Sequence, residues 1–177
     1  MPALSPANAV FVSVSFEGPD EYARAGGLGV RVRDLTQTLA EAGFRTHLFF
    51  LGDPSLPSVE RNGGLVLHRW AQWLSANYPA GVYDGEWEKR RDLAESLPPF
   101  LVEQIIAPAA AQGKVTVVMT EDWQTAPAAI RLYDLLLRHG LADRVIPAWT
   151  ANNVYGFETI DWQRLGRAAA IMTISRY

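Results

Sequence analysis

The strongest constraint on the fold is an alternation along the chain between short apolar runs and segments of helical periodicity. The apolar runs cover residues 9–15, 46–51, 114–120, 145–150 and 169–174, and a hairpin around Asn62-Gly63 is predicted over 59–70. Because the runs are apolar throughout, we expect helices to cover both faces of each strand. The sequence therefore predicts an α/β fold, a Rossmann-like open parallel sheet with helices on both faces.

Helices are predicted where apolar residues recur three or four positions apart between the strands. They cover residues 30–42, 86–111, 125–138 and 159–167, with a break expected at Pro98-Pro99. Residues 71–85 contain Asn, Pro, Gly and Tyr and are predicted to form a loop. A chain of 177 residues with 49% hydrophobic content is expected to form one well-cored domain spanning 1–177.

Charge and composition argue against several kinds of partner. The formal net charge is -3, so the chain has no general positive field to attract nucleic acid or an anionic membrane. It has no cysteine and its three histidines lack the spacing of a metal site, so no metal is predicted. The first apolar run is far shorter than the ~20 residues that span a bilayer, and no basic leader precedes it. We therefore expect a cytoplasmic protein without a membrane span.

The first candidate site is the glycine-rich loop over residues 17–29, which follows the first strand. Gly26 and Gly27 allow close approach of a ligand, and the helix that starts near Leu28 points free N–H groups at it. Together with the charge of Arg24 this predicts a phosphate site. The alternative is a glycine-rich turn that only starts a helix. The dinucleotide fingerprint fails because Val32 stands where its third glycine belongs.

Two further candidate sites also follow strands. Glu121 and Asp122 can hold sugar hydroxyls or a proton, whereas the motif taken alone favours the alternative, capping of the next helix by a residue of 121–125. Asn152 and Asn153 offer donors and acceptors that suit a hydroxyl-rich ligand, and the alternative is an ordinary loop. Because the carboxyl ends of parallel strands share one edge, all three loops are expected to converge on one cleft.

The order of these motifs resembles that of glycogen and starch synthases and related retaining glycosyltransferases. The matching segments are Ser15-Phe16-Glu17-x-Pro19, Arg24-Ala25-Gly26-Gly27-Leu28-Gly29, Asp122-Trp123-Gln124-Thr125, Thr150-x-Asn152-Asn153 and Thr173-Ile174-Ser175. They are similar to that family's Ser-x-Glu-x-x-Pro, Lys-x-Gly-Gly-Leu, Asp-Trp-x-Thr, Thr-x-His-Asn and Thr-Val-Ser. The match covers nearly the whole chain in the right order.

The resemblance implies the N-terminal, acceptor-side half of a GT-B glycosyltransferase. Such an enzyme transfers a sugar with retention and without a metal, in a cleft between two Rossmann-like domains. The implied partners are a nucleoside-diphosphate sugar as co-substrate, a carbohydrate or small-molecule acceptor, and the protein's own C-terminal donor-binding domain, which is absent from this chain. No other cofactor is expected. The chain alone is expected to be inactive or nearly so, because one wall cannot enclose the donor.

The resemblance also assigns roles to individual residues. Donor phosphate is expected at Arg24, Gly26 and Gly27, and the catalytic positions at Glu17, Asp122 and Asn152. Acceptor or sugar binding is expected at Glu121, Trp123, Asn153 and Tyr155. The chain departs from the family's motifs at three of these positions, with Arg24 for Lys and with Glu121 and Asn152 for His. These departures imply a donor or acceptor sugar different from that of glycogen synthase.

Two other functions remain open at this point. A Rossmann-like module could bind a sugar or nucleotide without chemistry. A nicotinamide-dependent oxidoreductase is a weaker alternative, in which Asp53, after the second strand, would bind a ribose.

Overall fold

The computed structural model describes residues 3–174, which form a seven-stranded sheet in the order β3-β4-β2-β1-β5-β6-β7. All neighbouring strands are parallel except the β3–β4 hairpin at one edge. The strands are β1 (Ala9–Val14), β2 (Arg45–Leu51), β3 (Val59–Asn62), β4 (Leu65–Trp70), β5 (Val115–Glu121), β6 (Val145–Ala151) and β7 (Ala170–Thr173). The predicted hairpin is confirmed, and its turn residue Gly63 has a φ of 56°.

Within the described part of the chain, six α-helices connect and cover the strands. They are α1 (Gly27–Glu41), α2 (Gln72–Asn77), α3 (Glu86–Leu101), α4 (Ala107–Ala111), α5 (Ala126–Arg138) and α6 (Trp162–Ala168). Short 3-10 turns lie at Trp123–Thr125, Ala142–Arg144 and Phe157–Thr159, and a π-helical turn at Val102–Ile106 joins α3 to α4. Among residues 3–174, no helix has the length and apolar character needed to cross a membrane.

The central strand β1 shows how the sheet is covered on both faces. All six of its residues are buried. Val12 and its neighbours two positions away pack into a cluster with α3 and α5, whereas Phe11 lies in a cluster that reaches Leu39 of α1. Helices therefore cover both faces, and the predicted α/β class is confirmed. The order in which strands are added to the sheet reverses at β1, which pairs in parallel with β2 on one side and with β5 on the other.

Two local predictions were wrong. The helix does not break at Pro98-Pro99, since α3 runs through both prolines and α-helical bonding gives way only at the π-helical turn that follows. Each proline removes one backbone donor, and a local change of hydrogen-bond pattern can absorb this without ending the helix. The segment 71–85 is not all loop, because it begins with the short helix α2. Ser175, matched above to Thr-Val-Ser, lies outside the described residues.

Candidate functional site

The candidate site lies at the carboxyl edge of the sheet, where β1, β5 and β6 end. Glu17 follows β1, Glu121 is the last residue of β5, and Asn152 directly follows β6. The register pairs Val14 with Thr120, and Glu121 with Thr150, so the three ends are level. This edge includes the point at which the strand order reverses, where ligands of open α/β sheets bind.

The glycine-rich loop is held by the Glu17 carboxylate. One Glu17 oxygen accepts hydrogen bonds from the backbone N–H groups of Gly26, at 2.9 Å, and Gly29, at 3.1 Å. A side chain at Gly29 would place its Cβ 2.7 Å from the Gly18 carbonyl oxygen, so the close packing of this loop requires glycine there. Glu17 is buried, and it acts as a cap at the start of α1.

The predicted phosphate-binding groups are only partly available. The N–H of Gly26 is already donated to Glu17. Within residues 3–174 the N–H of Gly27 has no acceptor, and the exposed side chain of Arg24 forms no ion pair. Arg24 and Gly27 therefore remain open to an anion at the N-terminus of α1.

Tyr83 connects this loop to the 71–85 segment. Its hydroxyl donates a 2.8 Å hydrogen bond to the second oxygen of Glu17, and its ring stacks on Phe16 with centroids 6.2 Å apart. Burial and the Glu17 carboxylate raise the pKa of Tyr83, so the hydroxyl stays protonated as a donor. Sequence analysis missed Tyr83, and the only signal was an aromatic residue in a long segment between two regular elements.

Glu121 is buried at the centre of a polar network that joins three elements. Its carboxylate forms an ion pair with Arg31 of α1 and accepts a 3.2 Å hydrogen bond from the Asn152 side chain. Burial raises the pKa of Glu121, while Arg31 and Asn152 oppose that rise. The side chains of Glu121 and Asn152 are thus turned toward each other, and sequence analysis missed Arg31.

Asp122 has an unusual backbone conformation, with φ 67° and ψ 173°. This region is almost exclusive to glycine, and such strain concentrates at functional sites. The Asn153 side chain donates to one Asp122 oxygen at 2.7 Å, whereas the other oxygen, Oδ1, is buried and has no hydrogen-bond partner among the described residues. Burial raises the pKa of Asp122, whereas the Trp123 backbone N–H, the Asn153 side chain and the Asn152 backbone N–H oppose that rise. A buried, strained carboxylate with a free oxygen fits a ligand-binding role.

The two predicted aromatic residues differ in their surroundings. Trp123 is buried, with the Arg90 guanidinium 4.7 Å from its ring centroid, and a Cβ at Gly156 would lie 2.2 Å from the ring. Tyr155 is 79% exposed, so its ring is free for contact with a ligand. Trp123 can therefore present only part of its ring to a ligand.

Asp122, Trp123, Asn153 and Tyr155 line one groove of about 290 Å³. We call it the edge groove, and its other lining residues are Tyr83, Glu86 and Gln124. Sequence analysis missed Tyr83 and Glu86, and it included Gln124 in the matched segment 122–125 without assigning it a role. A larger depression of about 370 Å³ lies between α3, α5 and α6 and contains none of the predicted site residues. The described residues contain no cluster of three or more metal-ligating side chains.

Asp53, which was considered above as a ribose-binding residue, forms hydrogen bonds with its neighbour Ser55. One of its oxygens accepts hydrogen bonds from the Ser55 backbone N–H at 2.8 Å and from the Ser55 hydroxyl at 2.6 Å. These bonds, with the hydroxyl contributing most, lower the pKa of Asp53. The geometry is that of a turn stabilised by its own aspartate.

Comparison with known proteins shows the fold. No protein-family model matches the chain, and no curated protein matches its sequence. The catalytic domain of starch synthase IV from Arabidopsis thaliana, solved with ADP and acarbose, matches with a TM-score of 0.58 and 18% identity over 82% of this chain. An OtsA structure without ligand (TM-score 0.45, 14% identity over 81% of this chain) and a trehalose-phosphate synthase from Burkholderia vietnamiensis (0.43, 17%, 82%) are more distant.

The chain spans 34% of that starch synthase structure and 33% of each of the other two. The resemblance expected from the sequence motifs is thus confirmed for the fold, an α/β Rossmann-like domain similar to part of the starch synthase IV catalytic domain.

Proposed function

We propose that this chain is the acceptor-side domain of a glycosyltransferase that moves a sugar, with retention, from a nucleoside-diphosphate sugar to an acceptor. The single observation that carries the proposal is the geometry of the carboxyl edge. There an open N-terminus of α1, the strained Asp122 and the edge groove are linked through Glu17 and Tyr83. In this proposal the donor binds mostly to a second domain outside this chain.

The donor diphosphate would lie against Arg24 and Gly27. Both groups are unpaired within residues 3–174, and they combine a guanidinium with a backbone donor at a helix N-terminus. Two such groups can stabilise charge that develops on a leaving diphosphate. Gly26 supports this role indirectly, because its N–H fixes the loop to Glu17.

The transferred sugar and the acceptor would meet at Asp122. Its Oδ1 atom lacks a hydrogen-bond partner among the described residues, and Asp122 lines the edge groove together with Tyr155 and Glu86. Asn153 would hold Asp122 in place, and Asn152 would act through Glu121, to which its side chain donates. The ADP and acarbose bound to starch synthase IV support a nucleotide and a saccharide as the two kinds of ligand.

A transfer assay tests this proposal. The protein made from the complete reading frame is mixed with ADP- and UDP-sugars and a set of saccharide acceptors, and release of nucleoside diphosphate is followed. We expect release that depends on the acceptor and is lost on Arg24→Ala. The exposed Arg138, at the C-terminal end of α5, provides the matched control Arg138→Ala, which should retain activity.

Two results would contradict the proposal. Robust transfer by the 177-residue chain alone would show that no second domain is needed. Absence of transfer by the complete protein, with retained binding of a sugar or nucleotide, would instead favour the non-catalytic binding module.

A further inference from the structure

The edge groove contains buried hydrogen-bond acceptors that the protein itself leaves unused. Asp122 Oδ1 and Gln124 Oε1 are both buried and have no partner among the described residues. The two residues are 3% and 4% exposed, and both line the groove. A buried acceptor without a partner is costly, so a ligand that donates hydrogen bonds here would gain more than it gains in water.

Three side-chain donors of the same groove are already directed at the protein's own carboxylates. The Gln124 side-chain nitrogen donates to Glu86 at 2.9 Å, and the Asn153 side-chain nitrogen donates to Asp122 at 2.7 Å. The Tyr83 hydroxyl donates to Glu17 at 2.8 Å. These three donors are therefore occupied, whereas the buried acceptors Asp122 Oδ1 and Gln124 Oε1 stay open.

The charge around the groove also favours an uncharged ligand over an anionic one. Glu86 and Asp122 line it, Glu17 lies behind Tyr83, and no Lys or Arg among residues 3–174 is part of the lining. The nearby Arg90 lies against the face of Trp123, with its guanidinium also stacked 5.0 Å from the Trp87 ring. An anionic ligand in the groove would thus lie beside the carboxylates of Glu86 and Asp122, while Arg90, which interacts with Glu86, is outside the lining.

We infer that the edge groove binds an uncharged, hydroxyl-rich sugar ring and discriminates against its phosphate ester. Ring hydroxyls would donate to Asp122 Oδ1 and Gln124 Oε1, while the exposed Tyr155 offers an apolar face to the ring. The inference rests on the proposed function in one respect, since it assigns this ring to the acceptor. Glu86 and Gln124 then determine acceptor specificity.

Binding to the 177-residue chain tests this without any nucleotide sugar. The ¹⁵N-labelled chain is titrated at pH 7.5 with glucose and, separately, with glucose 6-phosphate. We expect glucose to shift the side-chain amide signals of Gln124 and Asn153 and the indole N–H signal of Trp123. Glucose 6-phosphate should bind there roughly tenfold or more weakly, because its phosphate would lie near the two groove carboxylates. High salt should reduce the difference between the two dissociation constants, because it screens the repulsion of the phosphate.

A matched pair of variants separates charge from shape. Glu86→Gln removes one groove carboxylate and should reduce the ratio of the glucose 6-phosphate Kd to the glucose Kd. Glu88 is an exposed residue on the same helix, α3, and Glu88→Gln should leave this ratio unchanged. Equal or tighter binding of glucose 6-phosphate at these signals, an absence of glucose-dependent shifts in the groove, or equal effects of the two variants would overturn the inference. If the chain prefers glucose in this groove but the complete protein transfers no sugar, the inferred specificity of the groove stands and the proposed enzymatic function is contradicted.

Discussion

The Tyr83 hydroxyl donates a 2.8 Å hydrogen bond to the Glu17 carboxylate, across 66 positions of the chain. Tyr83 lines the edge groove, and Glu17 accepts the N–H groups of Gly26 and Gly29 at the start of α1. One phenol thus links the surface proposed for the acceptor to the loop proposed for the donor phosphate. A ligand that displaces the Tyr83 ring would loosen the glycine loop as well.

The first prediction concerns this link. Tyr83→Phe should lower the free energy of unfolding by about 1 kcal/mol, the usual net contribution of one hydrogen bond. It should also speed hydrogen exchange of the Gly26 and Gly29 amides, because their acceptor Glu17 is less firmly held. Denaturant unfolding and amide exchange measured by NMR provide the two readouts.

Tyr133→Phe is the control, since Tyr133 lies on α5 away from the glycine loop. It should change neither the Gly26 nor the Gly29 exchange rate. If Tyr83→Phe leaves both rates as they are in the unmodified chain, Tyr83 does not position the loop.

The second prediction concerns pH and the buried pair His47 and His68, whose ring nitrogens lie 2.9 Å apart. Burial lowers the pKa of His47 to about 3, with His68 adding to the effect, and lowers the pKa of His68 to about 4. The unfolded chain therefore binds these protons at higher pH than the folded chain. As the pH falls below ~6.5, each histidine should therefore lower the free energy of unfolding by up to about 1.4 kcal/mol for each pH unit.

Urea unfolding between pH 7.5 and 5 measures this slope. Burial raises the carboxyl pKa values of Glu121 and Asp122, which acts in the opposite direction, so variants are needed to isolate the histidines. Replacing both His47 and His68 by glutamine should flatten the loss of stability on acidification. Replacing the exposed His139 should not, and an unchanged slope in the double variant would contradict the assignment.

The sheet was predictable from sequence because local patterns determine it. Buried strands appear as continuous apolar runs, and Asn62-Gly63 marks the hairpin turn by supplying a residue that tolerates positive φ. Placement of Glu17, Asp122 and Asn152 along one edge follows from parallel strands alone. Their chemical roles stay predictions.

The walls of the edge groove were not predictable from local patterns. Glu86 bonds to Gln124 across 38 positions, and Tyr83 reaches Glu17 only because the segment after α2 folds back over the edge. The occupied N–H of Gly26 was missed for a different reason. Glu17 and Gly26 belong to the same loop, and their bond depends on a loop conformation that composition does not reveal.

The third prediction concerns Lys89, a fully buried lysine that holds two loops together. Its ammonium donates to the Tyr22 hydroxyl at 2.6 Å and to the carbonyls of Gly81 and Val82 at 3.0 and 3.2 Å. Lys89→Met would leave these acceptors without their donor and should cost roughly 1–3 kcal/mol of stability. It should also increase exchange of the Val82 amide, which donates to the Tyr22 carbonyl.

The matched control is Lys114→Met, which makes the same chemical change at a partly exposed position before β5. It should alter stability by no more than about 0.5 kcal/mol, as is usual for surface substitutions. Similar losses for both variants would mean that the Lys89 ammonium has no special role in joining the loops.

The fourth prediction concerns the support of Trp123 by Gly156. Gly156 has a φ of 65°, and an added Cβ would lie 2.2 Å from the Trp123 ring. Gly156→Ala therefore combines a backbone penalty of about 1 kcal/mol with a steric penalty of about 1–3 kcal/mol. The variant should also shift the indole N–H signal of Trp123, because the ring must move toward the edge groove or toward Arg90.

Gly140 separates the two penalties. It has nearly the same φ, 66°, but nothing lies within 4 Å of a Cβ built there. Gly140→Ala should therefore show the backbone penalty alone, and the difference between the two variants in thermal unfolding measures the packing of Trp123. Because Asp122 precedes Trp123 in a strained conformation, displacement of the ring should also weaken glucose binding in the edge groove. Equal destabilisation by the two alanines, with an unshifted Trp123 signal, would show that the ring is not held by Gly156.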